Sequence, residues 1–381
     1  MQLDPTPDQA AFQQAARAFA RQHVAPLASR IDERDEFPAG LVRLAGEHGF
    51  MGMTIPAEWG GAGRDYVSAV LAYEEIAGAS ATLAVILVVN NALVVEPLLR
   101  FGSEEQKARW LRPLARGEIV GAFALSEEDA GTDAANQQTV AEPLLGGGMR
   151  LNGRKTWVTC ASVADVMIVF GGQTTATGKP PVSAFLVPMN TPGLVRGARA
   201  ESMGVRGLGG MDVELRDVDV ADEALLGMRG AGFEIARWAF EGARIAIAAQ
   251  AIGIGQVAFE EALAHAKRRY TFGKPIASYE AVQFMLADCA TELDAARVLT
   301  LKAAATKDQK DRCAVEAAMA KLYASEAAVR VTDRAMQILA SAGYRRGSTL
   351  ERLYRDVRAT EMYPGTSEVQ RMLISGAVLR G

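Results

Sequence analysis

In RKTWVTCAS (154–162), Trp157 and Thr159 stand two residues apart, on one face of a predicted strand. An aromatic plane beside hydroxyls suits a flat heteroaromatic ring such as a flavin. Three other stretches carry complementary groups. ALSEEDAGTDA (124–134) holds Ser126 and the Gly131–Thr132 pair. RRYTFGKP (268–275) closes a helical run with positive charge and an aromatic, a combination suited to a pyrophosphate. YPGTSEVQR (363–371) forms a Pro-Gly turn whose Thr366 can bond a ribose or a phosphate. Singly, each fragment is commonplace: a lone tryptophan is more often core, a lone arginine solvated, and PGTS a plain turn. GGAGRDYVSA (60–69) lacks both a preceding strand and the full GxGxxG spacing, which argues against a Rossmann dinucleotide site.

The elements that must position these groups fall into three blocks. Residues 1–120 are helical in pattern. TPDQ (6–9) and SEEQ (103–106) read as capping boxes, with Thr6 and Gln9, then Ser103 and Gln106. Residues 121–225 change to short β-branched and aromatic runs ended by glycines, predicting a small barrel or sandwich, with a loop over 171–181. Residues 226–381 return to long Ala-rich helices, and FEGARIAIAAQAIGIGQVAFEEALAHAKRR reads as the central helix of a bundle. Separate helical and β layers make an α+β fold.

A net charge of −4 offers no broad basic field for nucleic acid or an anionic membrane. Three dispersed cysteines and three dispersed histidines supply neither a disulfide framework nor a metal site. The N-terminus carries no visible secretory signal, and a cytoplasmic location is expected. ATLAVILVVNNALVV (81–95) and IAIAAQAIGIGQVAF (245–259) look too short for a membrane span and carry internal amides, so buried helices are expected.

Taken in order, these stretches resemble the acyl-CoA dehydrogenase family over nearly the whole chain. MGMTIPAEWGGAG, ALSEEDAGTDA, NGRKTWVTCAS, MGVRG, FEGARIAIAAQAIGIGQ, KRRYTFGKPI and LYRDVRATEMYPGTSEVQR match its motifs at similar spacing. The resemblance implies FAD, an N-terminal helical domain, a middle β domain and a C-terminal four-helix bundle. It implies a homotetramer, or at least a dimer, in which each FAD spans two subunits. An acyl-CoA or acyl-carrier-protein thioester is the implied substrate and an electron-transfer flavoprotein the implied redox partner. Residue by residue, Leu125, Ser126, Gly131, Thr132, Trp157 and Thr159 would line the flavin. Arg269, Phe272 and Gln337 would reach the FAD of a neighbouring subunit, and Thr366 and Glu368 would hold it from the last turn. Thr132, Arg244, Tyr363, Pro364 and Gly365 would face the thioester.

Family chemistry removes an α-proton with a carboxylate while the β-hydride passes to flavin. In most members that carboxylate is the Glu of YEGT, whose N–H also steadies the thioester oxygen. Here the position is Pro364, which has neither group. Losing such a donor costs about 10²–10³ in rate, and losing a general base about 10²–10⁴. The family's alternative base position is Ala243, also without a carboxylate. Glu241 is a weak replacement, because helical geometry turns it about 200° from Ala243, and Glu361 is another. A second departure is Ala340–Ser341 where the family has Gly-Gly beside FAD. The expectation is a non-standard reaction on an acyl thioester. Its alternatives are ordinary dehydrogenation with a relocated base and a catalytically retired FAD- or thioester-binding protein.

Overall fold

Both capping boxes form. The Gln9 N–H donates to Thr6 Oγ1 at 3.3 Å while the Thr6 N–H donates to Gln9 Oε1 at 2.9 Å, and Ser103 and Gln106 repeat the exchange. A computed structural model of the chain describes residues 4–172 and 181–380. Of the loop expected over 171–181, residues 173–180 lie outside that description. The first helices are α1 (Pro7–Phe19), α2 (Ala25–Arg34), α3 (Ala39–Glu47), α4 (Tyr66–Ala79), α5 (Ala81–Val88), α6 (Glu96–Phe101) and α7 (Glu104–Ala115).

A π-helical segment, Val89–Val95, joins α5 to α6, so the apolar helix runs unbroken from Ala81 to Phe101. At 21 residues it is long enough to cross a membrane, as is the 37-residue helix that follows the sheet. The expectation that both were too short is corrected. Their most apolar stretches are nonetheless 89% and 83% buried within the fold, which makes them core helices. Asn90 and Asn91 serve the fold in the same region. Asn90 donates to the carbonyls of Met51 (2.7 Å) and Leu114 (3.2 Å), and Asn91 to that of Phe50 (2.9 Å). The two amides thereby pin the Gly-rich connection to the core.

The middle block is one eight-stranded mixed sheet: β1 (Gly121–Ala124), β2 (Val140–Pro143), β3 (Met149–Val158), β4 (Val166–Gly172), β5 (Val182–Pro188), β6 (Leu194–Arg199), β7 (Met211–Val220) and β8 (Leu225–Leu226). The path is β6-β7-β3-β2-β4-β5-β8, with β1 parallel to β4. Strand β4 is buried at every position. Val166, Ile168 and Phe170 pack into the helical core, while Met167 and Val169 pack into the sheet's own core. A strand covered on both faces reads as a continuous apolar run, which is why VMIVF shows no alternation. β7 keeps one wet face and does alternate, with Val213, Leu215, Val218 and Val220 inward.

The last block begins with α8 (Gly232–Arg268), followed by the hairpin strands β9 (Tyr270–Thr271) and β10 (Lys274–Pro275). Then come α9 (Glu280–Gln309), α10 (Ala314–Leu339), α11 (Thr349–Ala359) and α12 (Ser367–Val378). α8 is packed by α4, α9 and α10. Small residues permit that approach: a Cβ at Gly253 would sit 2.2 Å from the Glu74 carbonyl oxygen of α4. α10 runs alongside α8 in the same direction, since Cys313 bonds Glu241 while Ala328 packs on Gly255. The sheet and the bundle meet at Phe123, whose ring lies 4.8 Å from Phe170 and 5.8 Å from Phe240 of α8.

Candidate functional site

The sheet contributes a loop and a tryptophan. After β1 the chain leaves through Leu125 and Ser126, and the Thr156 N–H of β3 donates to the Ser126 carbonyl at 2.9 Å. Lys155, fully buried, uses all three ammonium protons on this loop. It donates to the Leu125 carbonyl (3.1 Å), Glu127 Oε1 (2.7 Å) and Gln137 Oε1 (2.7 Å). Burial holds its pKa down to about 8, against the pull of Glu127. Burial also acts to raise Glu127, but the Lys155 charge and hydrogen bonds from Lys155, Thr139 and Gln138 outweigh it and hold the carboxyl below its ordinary range.

The residue after Thr156 breaks the ladder. β3 shifts register between Lys155 and Val158, and Trp157 sits there at φ 55°. A bulky residue at positive φ is strained, and such strain gathers at functional sites. The result is an indole 64% exposed, standing clear of the sheet, with half-buried Thr159 two residues on. Gly131 and Thr132 are exposed just past the Glu127–Ala130 turn, whose two N–H groups and carbonyls exchange hydrogen bonds at 3.2 Å.

The bundle contributes a turn and two cations. Tyr363 exchanges hydrogen bonds with the Gln250 side chain of α8, at 3.2 and 3.3 Å. Pro364 and Gly365 follow, Gly365 at φ 85°, a conformation that suits glycine. Gln370 Nε2 donates to the carbonyls of Gly365 (2.8 Å) and Thr366 (3.2 Å). The turn is therefore pinned through its carbonyls, and the missing N–H of Pro364 costs it nothing. Lys321 of α10, fully buried, also donates to the Gly365 carbonyl, at 3.0 Å. Arg244 of α8 is 7% exposed, with its guanidinium 5.7 Å from the Phe240 ring centroid. Its Nε has no partner among the described residues. Phe123, Phe240 and Arg244 thus form a chain of neighbours from the sheet into α8, and Lys321 meets the last turn at Gly365.

Both replacement carboxylates are otherwise engaged. Glu241 is fully buried; its oxygens accept from Arg312 Nε and from the Cys313 N–H, each at 2.7 Å. It ties α8 to the start of α10, so its weak candidacy as base is withdrawn. Glu361 pairs with Arg358. Ala243, the other position, is a buried methyl.

Arg269 and Phe272 belong to the opposite end of α8. At about 1.5 Å per residue, the run from Arg244 to Arg269 spans roughly 38 Å, so one protomer does not bring them to Trp157. Phe272 is 93% exposed at φ 51° in the β9–β10 hairpin. Gln337, exposed near the end of α10, belongs to that same end of the bundle. Ala340 beyond it adopts φ 51°, ψ −132°, a region that glycine alone occupies readily. Thr366 stands at the N-cap of α12 but makes no capping bond with its side chain. Exposed Glu368 is held below the ordinary carboxylate range by the backbone N–H there and by the Thr366 hydroxyl.

Sequence reasoning missed Lys321 and the Lys155–Glu127 pair. For Lys321 a signal existed: Ala317, Lys321, Ala324 and Ala328 share the buried face of α10. Clefts also lie elsewhere: one of about 730 Å³ beside Gln9, Asp65 and Thr306, one of about 620 Å³ between α1, α4 and α8 near Arg17, Glu74 and Arg297, and one of about 540 Å³ beside Tyr66, Trp238 and Lys307.

The sheet offers a strained, exposed indole beside half-buried Thr159, and the bundle offers a last turn with Thr366 at the N-cap of α12, groups of the kind that hold a flat aromatic cofactor. Comparison with known proteins gives the family. Models of the acyl-CoA dehydrogenase N-terminal, middle and C-terminal domains match residues 6–118, 122–218 and 230–379. The chain is 43% identical over 369 residues to the mitochondrial short-chain specific acyl-CoA dehydrogenase of Bos taurus, covering 97% of this chain and 89% of that one. Butyryl-CoA dehydrogenase from Megasphaera elsdenii superposes with a TM-score of 0.97 at 37% identity, all of both chains being covered. An FAD complex of PigA matches with a TM-score of 0.95 at 28% identity, again over both whole chains. The chain belongs to the acyl-CoA dehydrogenase family, whose members are FAD-dependent oxidoreductases acting on CH–CH bonds. Its own residues fit that cofactor: an indole held open at positive φ, and an N-cap threonine whose hydroxyl does not cap.

Proposed function

We propose that the chain is an FAD-dependent enzyme acting on an acyl thioester of CoA or a carrier protein, by a reaction that does not begin with α-proton removal by a carboxylate at position 364. The observation that carries this is the turn itself. It is fixed by Gln250, Lys321 and Gln370, and it presents a proline. Neither Glu241 nor Glu361 is free to substitute.

FAD, when bound, supplies a two-electron acceptor or donor. The chain's part is positional. Trp157 and Thr159 bound the ring from the sheet, with Leu125, Ser126, Gly131 and Thr132 along its edge. Thr366 and Glu368 hold the cofactor from α12, and Arg269, Phe272 and Gln337 serve a neighbouring subunit's FAD. Arg244, Tyr363 and Gly365 bound the thioester, and Arg244 supplies positive charge where an N–H at 364 would otherwise donate. Reactions that fit are two-electron oxidation of an acyl thioester that loses CO2 from its α-carbon in place of a proton, and reduction of an enoyl thioester, in which the α-carbon gains a proton; neither asks the enzyme for an α-proton acceptor. The assembly is a homotetramer in the cytoplasm, and electron-transfer flavoprotein is the partner where the reaction is oxidative.

The test is anaerobic titration of the yellow holoenzyme with saturated acyl-CoAs. Little or no flavin bleaching is expected from unsubstituted acyl chains, with bleaching restored in Pro364→Glu. Rapid bleaching of the unmodified enzyme would refute the reading.

A further inference from the structure

The two faces assigned to flavin and thioester belong to different layers. Trp157 and Thr159 sit at the end of β3, and Tyr363, Pro364 and Gly365 lie between α11 and α12. Ring contacts such as Phe123 on Phe240 join the layers elsewhere. Apolar packing is non-directional and leaves the register between layers open.

The loop between β6 and β7, residues 200–210, closes that register with directional bonds. On the sheet side, the Cys160 N–H donates to the Leu208 carbonyl at 3.1 Å and the Ser162 N–H to the Gly209 carbonyl at 3.0 Å. Cys160 directly follows Thr159. On the bundle side, the Val205 N–H donates to Asp356 Oδ1 of α11 at 2.6 Å, and Arg355 Nη1 donates to the Met203 carbonyl at 3.1 Å. Gly204 lies so close to α11 that a Cβ there would sit 2.4 Å from the Arg355 carbonyl carbon. α11 then runs directly into the last turn: the Thr360 N–H donates to the Val357 carbonyl at 3.0 Å and the Tyr363 N–H to the Ala359 carbonyl at 3.3 Å. The N-terminal helices hold the loop's middle. The Gly207 N–H donates to Asp35 Oδ1 at 2.6 Å, and Thr82 Oγ1 donates to the Arg206 carbonyl at 2.7 Å.

Strain lies along the same path. Buried Val205 holds φ 52° and Cys160 φ 66°. A β-branched residue at positive φ is an outlier that persists only where its surroundings over-determine it. Asp356, 2% exposed, bonds the amide of that strained valine, while its neighbour Arg352 stands off at 3.8 Å.

We propose that Asp356 is a positioning residue: through Val205 and the β6–β7 loop it sets the Trp157–Thr159 face against the Tyr363–Gly365 turn, and so the flavin against the thioester. This deepens the functional reading above and rests on it for what occupies the two faces. Asp356 belongs to neither face, so its loss should leave both ligands bound but misaligned. A misplacement of about 1 Å can cost about 10²-fold in rate.

The experiment uses the FAD-loaded enzyme at pH 8, where Asp356, raised to about 6 by burial, is ionised. Asp356→Leu removes the acceptor. Gly204→Ala pushes the loop off α11 without touching Asp356, and covers a failure of the first variant to fold. Asp356→Asn keeps an oxygen for the Val205 N–H and serves as the conservative rescue. Each is read three ways: FAD and butyryl-CoA affinity, the flavin spectral change at saturating butyryl-CoA, and amide hydrogen exchange at Cys160 and Ser162. In the Pro364→Glu background the rate of flavin reduction by butyryl-CoA is added. Asp356→Leu and Gly204→Ala should keep both affinities within about threefold. They should lose half or more of the spectral change, reduce flavin tenfold or more slowly, and exchange the two amides tenfold or more faster. Asp356→Asn should match the unmodified protein in all of these, at a lower melting temperature. A full spectral change and rate in both disruptive variants, a slowing that only tracks lost FAD, or an Asp356→Asn as impaired as Asp356→Leu would overturn the proposal. Should butyryl-CoA neither perturb nor reduce the flavin even in Pro364→Glu, the functional reading falls. Exchange at Cys160 and Ser162 then decides the coupling alone, and unchanged exchange in both disruptive variants would sink it.

Discussion

Replacing Lys155 by methionine tests how the Leu125–Thr132 loop, proposed above to border the flavin, is held. The side chain volume is kept, while a fully buried ammonium and three hydrogen bonds are lost. Breaking a buried ion pair by removing one partner costs about 3–5 kcal/mol, because the other charge is left buried. Glu127 would not be wholly abandoned. It keeps the Thr139 N–H (3.0 Å), the Thr139 hydroxyl (2.5 Å) and the Gln138 N–H (2.5 Å). That places Lys155→Met near the lower end, about 3 kcal/mol. The carbonyl of Leu125 and the amide of Gln137 also lose their donor, so the loop should loosen before the fold does. Urea unfolding followed by circular dichroism gives the stability, and flavin fluorescence in the same samples gives cofactor release. FAD should leave at a lower urea concentration than that which unfolds the chain, with a wider gap than in the unmodified protein. Lys155→Met/Glu127→Gln should recover about 1–2 kcal/mol relative to the single change, since contacting pairs are not additive. A loss below about 1 kcal/mol, in the range of an ordinary surface contact, would refute the assignment of loop positioning to this pair.

Three further outcomes follow from the same geometry. Ala340→Gly should raise stability by about 1–2 kcal/mol, by relieving a backbone held at φ 51°, ψ −132°; a melting temperature that falls or stays put would contradict the strain. Glu241→Gln should cost about 1–3 kcal/mol by weakening the bonds to Arg312 and Cys313, while leaving turnover per folded enzyme intact; selective loss of turnover would make Glu241 a base after all. Lys155 and Lys321 both titrate near 8 in the fold, against 10.5 for a free lysine. Between those values the unfolded chain binds more protons, so these groups add stability as pH rises from about 8 to 10.5. The stability of the unmodified protein relative to Lys321→Met should therefore shift in favour of the unmodified protein over that interval; a flat difference would show that Lys321 is not depressed.

The layered plan was legible because each layer has its own period. Capping boxes announced α1 and α7, and glycine-bounded β-branched runs announced the sheet. Helix length was misjudged at Ala81–Phe101, because a π-helical segment carries Asn90 and Asn91 through what reads as an interruption. The motif residues were legible because they cluster in sequence, but their grouping was not. Arg269 and Phe272 share a motif with one another and are parted from Trp157 by the length of α8. Partners that meet only across the fold, such as Lys155 with Glu127 or Lys321 with the Gly365 carbonyl, leave no local trace beyond a lysine on a buried face. Glu241 shows the converse. One helical rotation sufficed to doubt it as a base, but its true partners, Arg312 and Cys313, lie on a distant stretch of chain.

Most direct is the rate of anaerobic flavin reduction by butyryl-CoA, measured by stopped flow in the unmodified enzyme and in Pro364→Glu. The substitution restores a carboxylate and an N–H to a turn that is pinned through its carbonyls, so the fold should accept it. The account predicts reduction at least about 10²-fold faster in the variant, the lower bound for regaining a general base. Equal rates, or a fast unmodified enzyme slowed by the substitution, would contradict it.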